Sequence, residues 1–149
     1  MKDRGINVFY TQYKPVPGTS PHKYVTAFSD VFIKEMQSVV DEAQKRITCT
    51  IYCLAIDRKG YLPIHHGAVS KPITGDPAKD LLYSRHQRIY QSNRTEQRRC
   101  SHTDPLLLQT YMRDTGEILN DLSMPIYIDG KHWGAFIMGF DPRAMLSGS

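Results

Sequence analysis

The sequence predicts a single α+β domain with one five-stranded antiparallel sheet, a long N-terminal helix, and short helices on one side of the sheet. Three observations predict this class: an amphipathic run near the N-terminus, a β-branched run directly after it, and three strand-like segments separated by glycine-containing turns near the C-terminus. The 149 residues fall within the size range of one domain. Hydrophobic residues at 40% and charged residues at 23% are typical of a globular chain. We therefore expect one hydrophobic core.

The domain is predicted to span residues 21–142, between an extended leader or linker at 1–20 and a tail at 143–149. The leader carries tyrosine, proline and glycine without sustained periodicity, at Tyr10, Tyr13, Pro15, Pro17 and Gly18. This pattern predicts a segment that lies over the domain or connects it to something upstream.

A long amphipathic helix is predicted to follow the leader. Ser20 is a suitable N-cap and Pro21 a suitable first helical residue, because proline has no N–H group that the first turn would leave unpaired. Apolar residues then recur at a spacing of three to four, at Phe28, Phe32, Met36, Val39, Val40 and Ala43. The run predicts a helix of about seven turns.

Two strands and a short helix are predicted in the middle of the chain. Residues 47–56 are apolar and β-branched, 57–60 have the composition of a hairpin turn, and 61–64 form a second short strand. After a loop, Asp76 or Asp80 begins a short helix that continues to residue 89.

Two arginines lie three residues apart on this predicted short helix. Arg85 and Arg88 would then share one helix face, where their guanidinium groups can hold a carboxylate or a phosphate. The alternative is a solvated or structurally paired arginine face.

The last third of the chain predicts an antiparallel meander. Its strands cover residues 106–113, 118–128 and 132–140, and the turns between them contain Gly116 and Gly130. The middle strand carries apolar residues on one face, which we interpret as the core face. That face consists of Ile118, Leu122, Met124, Ile126 and Ile128 with the single polar residue Asn120, while Asp121, Ser123 and Tyr127 face the other way.

Three segments carry a resemblance to a known family. They are DRKGYLP at 57–63, LLQTYMRDTGE at 107–117 and PIYIDGKHWG at 125–134, with weaker matches at 72–77 and 84–90. With these segments the sequence resembles the PAS/Cache-like sensing domains found in cytosolic parts of bacterial methyl-accepting chemotaxis proteins. The resemblance extends over roughly residues 15–141.

The resemblance implies a chemotaxis signal-transduction module without enzymatic activity. Such a module binds a small-molecule ligand and passes a signal through its helices to the coiled-coil signalling region of the parent receptor. We expect a small anionic ligand between the sheet and residues 61–90, a shift of the N-terminal helix on binding, and a homodimer formed through that helix.

Seven residues are predicted to contact the ligand. Arg85 and Arg88 would neutralise it, Tyr111 and Asn120 would orient it by hydrogen bonds, and Tyr61, His65 and Trp133 would shape the pocket. Gln109, Tyr111 and Arg113 share one strand face, which suits either a buried ligand or an exposed sheet surface.

Two further sensing roles and one interaction role remain as alternatives. A haem held through His86 or a redox role for Cys100 would make this a haem or redox sensor. A domain whose core has no space for a ligand would instead be a dimerisation module.

Several classes of function lack their motif in this sequence. A nucleophile with a nearby base, paired carboxylates, a phosphate-binding glycine loop and zinc-ligand spacing are all missing, so we expect neither catalysis nor a metal site.

The formal net charge of +4 is concentrated in residues 85–102, which we interpret as a solvated loop rather than a nucleic-acid surface. The three cysteines lack the spacing of a disulfide framework or a metal site, which favours a reducing compartment. The sequence has no apolar run of signal-peptide or membrane-spanning length. We therefore expect a cytoplasmic domain with no membrane contact.

Overall fold

A five-stranded antiparallel sheet organises the structure, a computed structural model that describes residues 5–9 and 12–143. Its strands are β3 (Thr50–Asp57), β5 (Ile64–His65), β7 (Leu107–Met112), β8 (Ile118–Ile128) and β9 (Lys131–Phe140). They lie in the order β5-β3-β9-β8-β7, so that the C-terminal meander extends a sheet begun by the first two of these strands. The predicted α+β class with a five-stranded antiparallel sheet is confirmed. The predicted tail consists mostly of residues 144–149, which lie outside the described residues, as do residues 1–4, 10 and 11 of the leader.

The N-terminal helix begins later than predicted. Strands β1 (Lys14–Val16) and β2 (Lys23–Val25) form a hairpin, and α1 spans Ser29–Arg46, which is 18 residues or about five turns. The predicted start at Ser20 was wrong because β2 pairs with β1, and the Tyr24 N–H also donates to the Gln87 carbonyl over 2.7 Å. The described part of the leader therefore packs on the domain.

The helices cover both faces of the sheet, so the prediction that they lie on one side was wrong. Helix α1 packs Phe28, Phe32 and Val40 into one apolar cluster, whereas α3 (Arg94–Ser101) contributes Cys100 to the other. Strand β3 separates the clusters: Tyr52, Leu54 and Ile56 point to the α3 side, and Cys53 and Ala55 to the α1 side. A strand buried on both faces has an uninterrupted apolar sequence, as β3 does.

The connection between β5 and β7 is irregular and crosses the α3 side of the sheet. Helix α2 (Pro77–Tyr83) begins after Asp76, whose side chain accepts from the Ala78 N–H over 3.0 Å, as predicted for that position. It ends before Arg85 and Arg88, so these two do not share a helix face. The backbone there pairs in another way, because β6 (Arg88–Ile89) forms a ladder with β4 (Tyr61–Leu62).

The face of β8 that points toward α3 is the one that was predicted to point away from the core. Leu119, Asp121 and Ser123 are buried, whereas Ile118 and Met124 are 58% and 54% exposed. The apolar stripe was interpreted as the core face, but Asp121 points inward because it pairs with Arg99 of α3, Nη1 to Oδ2 at 3.0 Å. Beyond a bulge at residues 126 and 127, Ile126 and Ile128 do pack against the α1-side cluster.

Gly139 allows a hydrogen bond to cross the centre of the sheet. Tyr52 of β3, Gly139 of β9 and Asp121 of β8 lie side by side in register. The Tyr52 hydroxyl donates to Asp121 Oδ2 over 2.7 Å, and a Cβ on Gly139 would lie 2.0 Å from the Tyr52 ring. Glycine is needed there so that the tyrosine can lie across β9.

None of the helices within residues 5–9 and 12–143 has the length and apolar character needed to cross a lipid bilayer.

We predict that Asp121→Asn lowers the free energy of unfolding by about 3–5 kcal/mol, because removing one partner of a buried ion pair leaves the other charge uncompensated. Asp121 is 0% exposed and Arg99 is 2% exposed. Urea unfolding followed by circular dichroism measures the change. Asp141→Asn is the matched control, since Asp141 pairs with Arg143, whose side chain is 88% exposed. Equal stability of the two variants would contradict the prediction.

Candidate functional site

A small polar cavity lies between the sheet and the crossing segment, on the side of α3. We call it the arginine pocket; its lining residues are Tyr52, Leu54, His65, Arg85, Tyr90, Arg99, Tyr111 and Arg113. Its volume is about 10 Å³, which is space for roughly one water molecule. Side chains from three strands and from α3 therefore nearly fill it.

Arg85 and Arg88 share one carboxylate at the edge of this pocket. Arg85 Nη2 donates to Asp114 Oδ1 over 2.6 Å, and Arg88 Nη2 donates to Asp114 Oδ2 over 2.8 Å. The two arginine side chains are 4% and 10% exposed, and that of Asp114 is 25% exposed. Two positive charges facing one negative charge leave this corner with a local excess of positive charge.

Tyrosine rings hold the guanidinium groups in place. The Arg88 guanidinium lies 4.7 Å from the centre of the Tyr90 ring, and that of Arg99 lies 4.4 Å from the Tyr111 ring. Arg113 lies over Tyr52 at 5.1 Å. Stacking on aromatic faces fixes the direction of the N–H groups.

Several buried polar atoms around the pocket have no hydrogen-bond partner in the protein. The donors are Arg85 Nε, Arg88 Nη1, Arg99 Nε and the Tyr90 hydroxyl; the acceptors are Asp121 Oδ1 and Glu96 Oε2. Most buried polar groups in proteins are paired, so a cluster of such atoms marks a place where a ligand or water completes the bonding. Most of the unpaired groups are donors, which favours a ligand rich in acceptors.

The charges in the pocket also favour an anion. Burial alone raises the pKa of Asp114, but Arg85 and Arg88 outweigh it and hold that pKa below its usual value. Burial, together with the charge of Arg85, lowers the pKa of Arg113. Asp114 is therefore ionised at neutral pH, and the arginines repel each other unless anions lie between them.

His65 connects the pocket to α1. Its side chain lines the pocket, and its carbonyl accepts from Gln37 Nε2 of α1 over 2.8 Å. Next to it, the Gly67 N–H donates to Asp41 Oδ1 of α1 over 2.6 Å. A displacement of His65 would therefore be transmitted directly to α1.

Four of the seven predicted ligand residues come together and three do not. His65, Arg85, Arg88 and Tyr111 lie in or beside the pocket. Tyr61 and Trp133 belong to the α1-side cluster, where the Tyr61 hydroxyl bonds Tyr24 and Ser29, and Trp133 stacks on Phe32 with ring centres 4.6 Å apart. Asn120 lies beside Thr110 on the outward face of β8, because inward Asp121 and Leu119 flank it.

The sequence interpretation missed the residues that complete the pocket. Arg99 was assigned to a solvated loop, Asp114 to turn chemistry, and Asp121 to the outer face of β8. One signal was present: Asn93 and Glu96 have capping-box spacing, and in the structure the Asn93 side chain accepts from the Glu96 N–H over 2.9 Å. That signal predicts α3 and places Arg99 on it.

A larger cavity of about 620 Å³ lies on another part of the surface. Its wall includes Tyr13, Asp57, Lys59, Lys131 and Trp133. Trp133 thus lies at a cavity separate from the arginine pocket.

The haem and redox alternatives involve His86 and Cys100, which are not among the residues that line the pocket. His86 Nδ1 lies 3.4 Å from Lys23 Nζ, and burial with that neighbouring charge lowers the His86 pKa to about 4. Cys100 is fully buried, and burial raises its pKa to about 11, which disfavours the reactive thiolate. In the described part of the chain, His, Cys, Asp and Glu residues form no group of three suited to a metal ion.

We predict that acid weakens folding through the buried histidines. Burial lowers the pKa of His65 and His66, so both are neutral in the folded protein but bind protons once unfolded, near pH 6.5. Their stabilising contribution is therefore complete above about pH 6.5 and is lost as the pH falls below it. Urea midpoints measured from pH 7.5 to 5 should decrease, and His66→Gln should reduce the slope. His22→Gln, at an exposed position, is the control and should leave the slope unchanged.

Comparisons of the chain with protein-family models, with curated proteins and with solved structures found no match, so the functional assignment depends on the pocket and on the sequence resemblance.

Proposed function

We propose that this chain is the ligand-sensing domain of a bacterial chemoreceptor and that it binds a small anionic molecule at the arginine pocket. The observation that carries the proposal is the arrangement of Arg85 and Arg88. Both are buried, both bind the same Asp114 carboxylate, and each keeps a nitrogen without a partner. These nitrogens are available to the acceptor atoms of a ligand, which supports a binding site at this ion pair.

The sequence resemblance supports the sensing role. Two of the three resembling segments contribute to the architecture around the pocket: 57–63 includes β4, which pairs with Arg88 in β6, and 107–117 includes β7 and Asp114. The third, 125–134, covers the turn between β8 and β9 and contributes to the separate, larger cavity. The crossing segment between β5 and β7 supplies Arg85, Arg88 and Tyr90. A pocket between a sheet and its crossing segment is the arrangement that the PAS/Cache-like resemblance implies. The proposal assigns recognition, without catalysis, to this domain.

Ligand entry requires a movement, because the cavity of about 10 Å³ does not accommodate an organic anion. Residues 85–90 are held to their surroundings by a few backbone hydrogen bonds, among them Gln87 N–H to the Leu62 carbonyl at 2.6 Å and Tyr90 N–H to the Gly60 carbonyl at 2.8 Å. Movement of this segment away from the sheet enlarges the pocket. The ligand then stabilises the open form to the extent that it binds that form more tightly.

Signal output is proposed to run through His65 and α1. His65 is buried, lines the pocket with its ring, and bonds Gln37 of α1 with its backbone carbonyl. Because one residue contacts both the pocket and the helix, a change in the pocket shifts α1 without a long chain of contacts. In a receptor, α1 would pass this shift to the signalling region, either directly or through the proposed homodimer.

We predict that Arg88→Gln abolishes stabilisation by the anion that the wild type senses. A ligand at a hundred times its dissociation constant stabilises a protein by about 2.7 kcal/mol, which corresponds to a rise of several degrees in the melting temperature. The measurement is a thermal-shift screen of wild type and variant against sodium salts of carboxylic acids, amino acids, phosphate and nucleotides at constant ionic strength. Arg46→Gln is the control, since the Arg46 side chain is 76% exposed and pairs with Glu42 on its own helix.

An equal response of Arg88→Gln and wild type to the stabilising anion would exclude the arginine pocket as its site. A screen in which no anion stabilises the wild type would contradict the sensing proposal itself.

An interaction module is the second candidate function, favoured by the small cavity and by an exposed apolar sheet face. On the α1 side, α1 leaves β7 and the adjoining half of β8 uncovered, and the large apolar side chains there are about half exposed. They are Leu106, Leu108, Met112, Ile118 and Met124, with exposed fractions of 53–62%. Large exposed apolar patches mark interaction sites in soluble proteins. A second copy of this chain is the proposed occupant, since homodimers bury such faces. On α1, by contrast, Val39 is the one exposed large apolar side chain among the described residues. The sheet face therefore offers a larger apolar surface for a dimer than α1 does.

For this second candidate we predict that wild type sediments as a dimer and that Leu108→Lys/Met112→Lys sediments as a monomer, because two charges would be buried in the apolar interface. Analytical ultracentrifugation measures both. Val39→Lys is the matched control on α1 and should remain dimeric. Dissociation by Val39→Lys alone would assign the dimer to α1, and a monomeric wild type would exclude self-association as the function.

A further inference from the structure

The carboxylate of Asp114 occupies the part of the pocket where an anion would bind. We propose that Asp114 is an internal stand-in for the ligand, that the sensed molecule is a small carboxylate, and that this carboxylate displaces Asp114 from Arg85 and Arg88. The inference rests on the proposed function. It adds the chemical class of the ligand and the event that starts the signal.

The bonding of Asp114 defines the group that can replace it. Each of its two oxygens accepts from a different arginine, at 2.6 Å for Arg85 and 2.8 Å for Arg88. A carboxylate of a ligand has the same planar pair of oxygens and the same spacing between them, so it can replace Asp114 without moving either guanidinium group. The space that becomes free is that of a carboxymethyl group, which fits a short organic acid better than a bulkier phosphate ester.

Asp114 has no other structural duty in its turn. The turn between β7 and β8 is closed by backbone bonds, Gly116 N–H to the Arg113 carbonyl at 2.9 Å and Arg113 N–H to the Glu117 carbonyl at 2.8 Å. The Thr115 hydroxyl bonds the Glu117 side chain. The hydrogen bonds of the Asp114 side chain go to Arg85 and Arg88, whose positions are 29 and 26 residues away in the sequence. Rotation of one short side chain would therefore release it while the turn stays folded.

Asp114 is also the accessible partner of this ion pair. Its side chain is 25% exposed, compared with 4% for Arg85 and 10% for Arg88. An anion from solvent meets the Asp114 side first, because the arginines lie behind it. The exchange of carboxylates can thus begin at the surface, and the movement of residues 85–90 then makes room for the rest of the ligand.

The unpartnered donors explain how a ligand can compete with a carboxylate that is already in the protein. Asp114 leaves Arg85 Nε, Arg88 Nη1 and the Tyr90 hydroxyl without partners. A ligand whose carboxylate is joined to further oxygen acceptors gains hydrogen bonds that Asp114 does not make. Small acids with a second acceptor, such as hydroxy acids and dicarboxylates, satisfy this condition.

Displacement of Asp114 gives the pocket two states. In one, the β7–β8 turn is tied to the crossing segment through Asp114; in the other, the ligand holds the arginines and the turn is untied. The two states differ at Arg85 and Tyr90, on the same segment that must move to enlarge the pocket. Because the ligand contacts the arginines only after Asp114 has left, it favours the second state.

Chemical rescue of Asp114→Ala tests this inference. The variant keeps Arg85 and Arg88 but removes their carboxylate, so its melting temperature should fall. Sodium formate or acetate should raise that melting temperature by several degrees more than sodium chloride at equal ionic strength. The double variant Arg88→Gln/Asp114→Ala should lose this selective gain. Asp141→Ala is the control, since its carboxylate pairs with an exposed arginine, and it should show no selective gain.

The outcomes separate this inference from the proposed function. A gain in Asp114→Ala no larger than in Asp141→Ala would overturn the stand-in role. Rescue by phosphate without rescue by formate or acetate would overturn the carboxylate class and leave anion sensing in place. If Asp114→Ala does not fold, Asp114→Asn keeps the shape of the side chain and loses its charge. With that variant, wild-type affinity for malate, used as the probe dicarboxylate, would overturn the stand-in role, and tighter binding would support it.

Discussion

The burial of arginine charge is the constraint on which the rest of this structure depends. Four guanidinium groups lie within or beside one pocket, and burying an unpaired charge costs several kcal/mol. The chain meets this cost with three carboxylates, those of Asp114, Glu117 and Asp121, and with tyrosine faces. Asp121 must therefore point inward from β8, Tyr52 must reach it across β9, and residue 139 must be glycine to leave room for the Tyr52 ring. The pairing of buried charge in the pocket thus sets side-chain choices on three strands.

The sequence predicted the elements whose signals are local. Strands β7, β8 and β9 were found within one or two residues of their ends, because alternating apolar residues and glycine-containing turns determine both the strands and their pairing. Strand β3 and the central part of α1 were predicted for the same reason. The predicted start of α1 was wrong because Ser20 and Pro21 satisfy the rules for a helix start, yet β2 forms there by pairing with β1 and by a hydrogen bond from the Tyr24 N–H to the distant Gln87 carbonyl.

The pocket depended on contacts that no local pattern encodes. Arg85 and Arg88 were identified as a pair, but on a helix face that does not form; they meet because both reach Asp114, more than 25 residues further along. Charged residues are usually exposed. For that reason Arg99 was predicted to face solvent, and the face of β8 that carries Asp121 was predicted to point away from the core. A buried charge becomes predictable only when its partner is known, and here each partner lies on a different element.

Asp121 and Asp114 differ in their importance for the fold: the packing depends on Asp121, whereas Asp114 is the carboxylate that we propose a ligand displaces. Asp121 is fully buried and binds Tyr52 and Arg99, which lie on β3 and α3, so its loss would disturb the packing of both. Asp114 lies on a turn that is closed without it, is partly exposed, and neutralises two arginines that retain free donors. An incoming anion can therefore replace Asp114 at small cost to the fold, whereas replacement of Asp121 would unpack the sheet. The proposed anion exchange would therefore take place in the outer half of the pocket, where Arg85, Arg88 and Tyr90 lie on the crossing segment.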